Sequence, residues 1–253
     1  MHESYYDMIF KRKSFHMFRE IIPLTPEELN EINDHIKTLT PLNKDIKVSF
    51  KIVPKKYTTS KRGEYCILIY SETKDDFVQN IGYMGEQLDL WLASKDIGVC
   101  WYGLAKPNEM KCDGLDFIIM LAIGKSPTNF FRKDYRKCAR RPLEDIWNLE
   151  GSQALIDVVR YAPSACNSQP WFIENKHNTI KLYRTRGKKG IISADKMPLI
   201  NRVDIGIMIL FLDVYLNHHN IKFTRDLFPD YPYENEKAIP INDKVLSAVY
   251  TLE

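Results

Sequence analysis

The sequence predicts an α+β protein made of two similar halves. Three observations carry this. Segments of helical length alternate with short apolar runs of strand length. A helix running into a proline loop occurs twice: HIKTLTP ends at Pro41, and VVRYAP ends at Pro163, 122 residues later. An apolar helix with matched Asn and Gly also occurs twice. Asn80 and Gly85 of NIGYMG stand 121 residues before Asn201 and Gly206 of NRVDIG. The division falls near Leu149, giving a first half over 1–148 and a second half plus C-terminal tail over 149–253.

Each element follows from local chemistry. Tyr5, Met8 and Ile9 share one side of a short helix over 4–11. In PLTPEE, Thr25 is an N-cap, Pro26 takes the first helical position and Glu28 sits at capping-box spacing. A helix from Pro26 to about Thr38 follows. Residues 47–53 alternate apolar and polar and predict a strand, and YCILIY (65–70) reads as a buried strand. Phe77, Ile81, Met84, Leu88, Trp91 and Leu92 form the stripe of a helix over 76–94, despite the helix-weakening Gly82 and Gly85. VCWYGL and a buried strand FIIMLAI (117–123) follow, then a polar, basic stretch over 125–141 and a short helix start at 142–147. In the second half we expect a helix over 152–160 stopped by Pro163, strands at 171–173 and 179–183, a helix over 204–217 and a strand at 222–226. The tail from Pro229 carries no clear pattern.

Composition excludes several functions. The net charge is +3, from 36 basic and 33 acidic residues, too balanced to argue for nucleic acid or a membrane surface. The longest apolar stretch, 205–212, is too short to span a bilayer. Five cysteines without a CxxC pair and no signal-like N-terminus predict a reducing, cytoplasmic setting. No GxGxxG or P-loop occurs, and the histidines, including His218 and His219, have no metal-ligand spacing.

The halves have diverged in a complementary way. The first-half helix leads into GVCWYG, whereas the second-half helix leads into HHNIKF, which has no glycine. The second-half proline loop is PSACNSQPW, and its counterpart PLNKDIKVS lacks the matching Ser-Ala and Gln-Pro-Trp elements. Each half keeps what the other lacks, as expected if one composite site lies between them.

Five segments carry a family resemblance. IFKRKSFHMF is similar to the N-terminal run of flavin-dependent nitroreductases. YAPSACNSQPWFI resembles their Ala-Pro-Ser-x-x-Asn-x-Gln-Pro-Trp loop, and LWLASKDIGVCWYG their Leu-x-Ala-x-x-x-Gly-Leu-Gly-x-x-Trp segment. IIMLAIGKSP and RRPLEDI resemble two further stretches. In a typical member the Ala-Pro-Ser loop follows soon after the N-terminal run and reaches the flavin of the partner subunit. Here it comes only in the second half. The resemblance therefore implies a nitroreductase-like fold in which one chain forms an intramolecular pseudo-dimer.

It further implies FMN as cofactor, NAD(P)H as reductant and an electron-poor acceptor such as a nitroaromatic or quinone. By resemblance Arg12, Ser14 and Arg140 bind the FMN phosphate, with Lys13 and Arg141 nearby. Tyr102 and Gly103 match backbone positions near flavin N5 and O4, and Trp101 is either a ring contact or core. Pro163, Ser164, Ala165 and Asn167 match the partner-supplied loop. Gln169, Pro170 and Trp171 fix that loop's shape, and Cys166 is a bystander. No protein acid or base is required, because the hydride chemistry belongs to the flavin. The chain is expected to be a monomer acting as pseudo-dimer, or a weak homo-oligomer. The alternatives are a flavin carrier or sensor without turnover, and an interaction protein that has lost FMN.

Overall fold

Two helix starts in the computed structural model, which describes residues 5–127, 130–148, 150–187, 193, 196–229 and 243–253, are set by side-chain caps. Helix α1 spans Tyr5–Lys11. Helix α2 (Pro26–Ile36) opens with the expected capping box: Glu28 N donates to Thr25 Oγ1 (3.2 Å) and Thr25 N donates to Glu28 Oε2 (3.0 Å). Helix α4 (Gln153–Tyr161) is capped by Ser152, whose Oγ accepts from Leu155 N (3.2 Å).

Two helices form the centre. Helix α3 (Phe77–Ser94) is buried from Phe77 to Ala93, and α5 spans Met197–His218. Helix α5 begins before the apolar run suggests, at Met197 rather than Asp204, because Pro198 fits the first turn, where the missing N–H has no helical role. The two helices pack directly on one another. A Cβ on Gly82 would stand 2.1 Å from Val203 O, and one on Gly206 would stand 2.0 Å from Gln79 O. Gly82 thus relates to Gly206 as Gln79 relates to Val203. This crossing register is about one helical turn from the sequence match of Gly85 with Gly206. Gly85 instead makes room for Trp101, whose Cη2 would be 2.5 Å from an added Cβ.

Each central helix belongs to one sheet. The first contains β1 (Val48–Pro54), β2 (Tyr65–Ser71), β3 (Ile97–Trp101), the two-residue β4 (Lys111–Cys112) and β5 (Leu115–Lys125), in the order β1-β2-β5-β3, with β4 beside β5. The second contains β6 (Trp171–Lys176), β7 (Thr179–Arg184), β8 (Phe223–Leu227) and β9 (Val245–Leu252), in the order β6-β7-β9-β8. All these pairings are antiparallel. Both sheets thus run as two adjacent strands, a buried helix, an edge strand, and a last strand inserted in the middle. Both carry an irregularity at the same place. Ile69 faces Ile119 while Tyr70 faces Phe117, leaving Ile118 extra; Leu182 faces Ala248 while Tyr183 faces Leu246, leaving Ser247 extra.

Strand β9 lies in the tail that carried no clear pattern, and only its pairing with β7 and β8 identifies it. The rest of that tail, 230–242, lies outside the described residues. A buried polar knot ties the second sheet to both helices. Tyr83 donates to Asp213 Oδ2 and Tyr250 to Asp213 Oδ1, each at 2.8 Å, and Arg225 pairs with the same carboxylate. No described helix is long and apolar enough to cross a membrane.

Candidate functional site

The end of β3, the loop after Ala162 and the first turns of α5 enclose a cavity of about 250 Å³. One wall comes from the first half. β5 brings Ile119, and β3 brings Cys100 and Trp101, followed by Tyr102, Gly103 and Leu104. Trp101 is fixed from behind: its Nε1 donates to Glu86 Oε2 (3.1 Å). Tyr102 N donates to Met120 O (2.9 Å), so of this pair the Gly103 amide is the one without a partner among the described residues. Ser14 reaches the cavity because its segment lies beside β3, where Phe15 N donates to Val99 O (2.9 Å).

The opposite wall comes from the second half. Ile200, Val203, Asp204 and Ile207 project from α5, and Pro163, Ser164, Ala165 and Cys166 come from the loop. That loop is held in an unusual conformation. Cys166, Asn167 and Gln169 all have positive φ, at 53°, 53° and 47°, which costs about 1 kcal/mol for a non-glycine residue. Several hydrogen bonds offset this. Gln169 N donates to Ser164 Oγ (2.9 Å), and Ala165 N to Asp204 Oδ1 (3.0 Å). Asn167 Nδ2 donates to Ala139 O (3.0 Å), and Arg140 Nη1 donates to Asn167 Oδ1 (3.1 Å). Arg141 supports Gln169, donating from N to Oε1 and from Nη1 to O, both at 3.2 Å.

The arginines separate into three environments. Arg12 is 1% exposed and pairs with Asp89 (2.9 Å) and Glu86 (3.5 Å). Burial, and then Asp89, push the Glu86 carboxyl well above the usual carboxylate range. Arg140 caps the end of α4, donating to Arg160 O (2.8 Å) and Tyr161 O (3.4 Å). Arg132 has no carboxylate partner among the described residues, and its Nη1 is buried without an acceptor. Burial, then the charges of Arg12 and Arg140, lower its pKa to about 10. These three arginines therefore lie close enough to repel one another. Lys13 is exposed and does not line the cavity.

Three further cationic or titratable groups line the cavity: His16, Arg62 and Lys196. Arg62 Nη1 donates to His16 Nδ1 (3.2 Å) and to Cys100 Sγ (2.9 Å), and its guanidinium sits 4.6 Å from the Tyr102 ring centre. Burial, and then Arg62, lower the His16 pKa, so the imidazole stays neutral at neutral pH. Burial raises the Cys100 thiol. No cluster of metal-binding side chains occurs among the described residues.

Seven of the residues expected from sequence thus share the cavity: Ser14, Trp101, Tyr102, Gly103, Pro163, Ser164 and Ala165. Arg12, Arg140, Arg141 and Asn167 stand behind its walls, bonded to the protein itself. Sequence reasoning did not single out His16, Arg62, Lys196 or Asp204 for this site. Only Asp204 left a signal: it is the sole acid within the apolar stretch 197–212.

A family model described as putative TM nitroreductase matches residues 4–215. The crystal structure of a putative nitroreductase from Thermotoga maritima shares the fold, with a TM-score of 0.63 and 19% identity over 100% of this chain and 94% of that one. A nitroreductase family protein from Clostridium novyi (TM-score 0.39, 17% identity) aligns with 52% of this chain and 89% of its own. A putative NADH oxidase from Clostridium acetobutylicum (TM-score 0.41, 13% identity) aligns with 57% of this chain and 100% of its own. No curated protein matches.

Proposed function

The chain belongs to the putative TM nitroreductase family, and we propose that it is an FMN-dependent oxidoreductase carrying reducing equivalents from NAD(P)H to a nitroaromatic or quinone. One observation carries this reading. A single cavity draws one wall from the β3 end and the other from the proline loop and α5, and the β3 end and the proline loop are two of the five segments that carry the family resemblance.

The residues present fit a flavin. Trp101, Tyr102, Ile119, Pro163, Ile200, Val203 and Ile207 give apolar surface for a flat ring system. Ser14, Ser164 and the Gly103 amide offer hydrogen bonds at its edge. Outside the cavity lining, the Nη1 of Arg132 is buried without a partner and feels the charges of Arg12 and Arg140, an environment that suits a phosphate, which carries up to two negative charges. In this reading Arg132 and Arg140 supply positive charge, with Lys13 and Arg141 farther out. Arg12 acts from behind, fixed by Asp89 and 3.5 Å from Ser14 Oγ. Asn167 holds the loop against Arg140.

When bound, the flavin supplies the hydride chemistry. The protein's part is to hold, shield and orient. Arg62 and Lys196 keep the cavity electropositive, which favours negative charge developing on whatever is reduced there. The loop and α5 cover one side and keep water from it. The two sheets, alike in order and in bulge position, support reading 1–148 and 149–253 as a fused pair that forms one site per chain.

The visible spectrum of the purified protein, followed by NAD(P)H oxidation with menadione or nitrofurazone, tests this. Flavin bands and acceptor-dependent turnover are expected. Bound flavin without turnover with either reductant would move the protein to the carrier or sensor class. No flavin bands, even after FMN is added, would overturn the proposal.

A further inference from the structure

Among the described residues Asp204 is the one carboxylate on the cavity wall, and it has no part in holding the flavin as proposed. It lies between Val203 and Gly206, the residues of α5 that meet α3 at the crossing, and is 2% exposed. Its Oδ1 accepts from Ala165 N (3.0 Å), whereas Oδ2 has no hydrogen-bond partner. Ser168 is a close neighbour, and its Oγ is likewise buried without a partner. No cation pairs with Asp204 among the described residues. A carboxylate with one amide donor and no cation is costly in such a place, so the neutral acid is the favoured form. A neutral acid has an O–H that must also find an acceptor; Ser168 Oγ can share one hydrogen bond with it, which still leaves one of the two O–H groups without an acceptor in the protein.

Resting on the flavin reading, we propose that Asp204 is a ligand-contacting residue whose Oδ2–H donates a hydrogen bond to a carbonyl or ring-nitrogen acceptor of the heterocycle in the cavity. The same side chain then does two things. Oδ1 fixes the loop through Ala165, and Oδ2 reads an acceptor on the ligand that the loop covers. Burial raises the Asp204 carboxyl well above its usual range, with Ala165 N and Ser168 opposing in part, which favours the protonated form. Ligand affinity should therefore fall as pH rises and the donor is lost. If Asp204 only anchored Ala165, ionisation would strengthen that bond, and affinity would hold or rise.

Other groups must be separated from this effect. His16, Arg62, Cys100, Cys166 and Lys196 share the cavity, and α3 places Glu86 behind Trp101. All are retained in Asp204→Asn. That variant keeps an acceptor for Ala165 and places an NH₂ donor at the Oδ2 position, so it isolates the proton of Asp204.

Binding of riboflavin, which has no phosphate to titrate, is measured by fluorescence quenching between about pH 5.5 and 8.5. For the wild type we expect affinity to weaken as pH rises. For Asp204→Asn we expect a flat profile, within about twofold of wild type at the acid end. Asp204→Ala should bind about tenfold more weakly there, the effect of losing one hydrogen bond. A carbonyl stretch of a protonated acid, present in ligand-free wild type at neutral pH and absent from Asp204→Asn, gives a readout independent of flavin. A wild-type profile matching that of Asp204→Asn, unchanged affinity in Asp204→Ala, or no such infrared band would overturn the inference while leaving the flavin reading intact. A wild type that binds neither riboflavin nor FMN removes the flavin reading, and this inference with it.

Discussion

Gly82 of α3 and Gly206 of α5 are reciprocal at the helix crossing. Each sits against a backbone carbonyl of the other helix, that of Val203 for Gly82 and that of Gln79 for Gly206. A Cβ at Gly82 would also lie 3.2 Å from Gly206 Cα. Backbone cannot rotate aside as a side chain can. Gly82→Ala should therefore force the helices apart. The gain in helix propensity, about 1 kcal/mol, opposes an overpacking cost of about 3 kcal/mol. We expect a net loss of about 2 kcal/mol in urea unfolding. A neutral or stabilising result would mean that the crossing is looser than described.

Arg12 pairs with the buried Asp89 carboxylate and lies 3.5 Å from Glu86, whose carboxyl is pushed toward its protonated form, and this defines its first role. Arg12→Ala leaves Glu86 and Asp89 together without a cation, which costs about 3–5 kcal/mol for a buried pair broken on one side. Stability, measured without flavin, should fall by that order. A variant of wild-type stability that fails only to bind FMN would instead make Arg12 a direct phosphate ligand.

Much of this was legible in the sequence where the cause is local. The capping box of Thr25 and Glu28, the apolar runs of β2 and β5, and the stop at Pro163 depend on neighbours within a few residues. Two Gly-containing helices pointed to a repeat, but the crossing fixed its register on Gly82 rather than Gly85, because only tertiary contact shows which glycine meets a carbonyl. The same limit hid Arg62 and Lys196, which sit in unremarkable polar stretches. They join the site only because the β1–β2 loop and the start of α5 approach the end of β3.

Arg140 is held by geometry more than by charge. Its guanidinium donates to Arg160 O, Tyr161 O, Ala139 O and Asn167 Oδ1, tying the end of α4 to the loop. Lysine keeps the charge but not the planar fork. Arg140→Lys should lose about 1–3 kcal/mol of stability and make the 163–169 loop more sensitive to proteolysis. Unchanged stability and protease resistance would reduce Arg140 to a source of charge.

Glu86 makes stability depend on pH with a definite sign. Its folded carboxyl titrates well above the usual range, burial being the main cause. Between the ordinary and the raised value the folded state holds a proton that the unfolded state has released. Stability therefore falls as pH rises through that window. Gln cannot ionise and can still accept from Trp101 Nε1. Glu86→Gln should melt above wild type near pH 8, with the difference shrinking toward about pH 4. A pH-independent difference between the two would refute this.

The composite site makes the sharpest demand on the two halves. Ser14 and Ala165 belong to different halves yet line one cavity. Asn167 sets the loop that carries Ala165, through its bonds to Ala139 and Arg140. If both halves form one site, Ser14→Ala and Asn167→Ala each weaken the same binding event. Each should raise the FMN dissociation constant by about tenfold, equivalent to about 1.4 kcal/mol. The double variant should depart from simple addition where the two residues act on a shared ligand position. Titration of the wild type should saturate at one FMN per chain. Saturation at two, or a variant in one half that leaves a full-affinity site behind, would show instead that each half binds its own flavin.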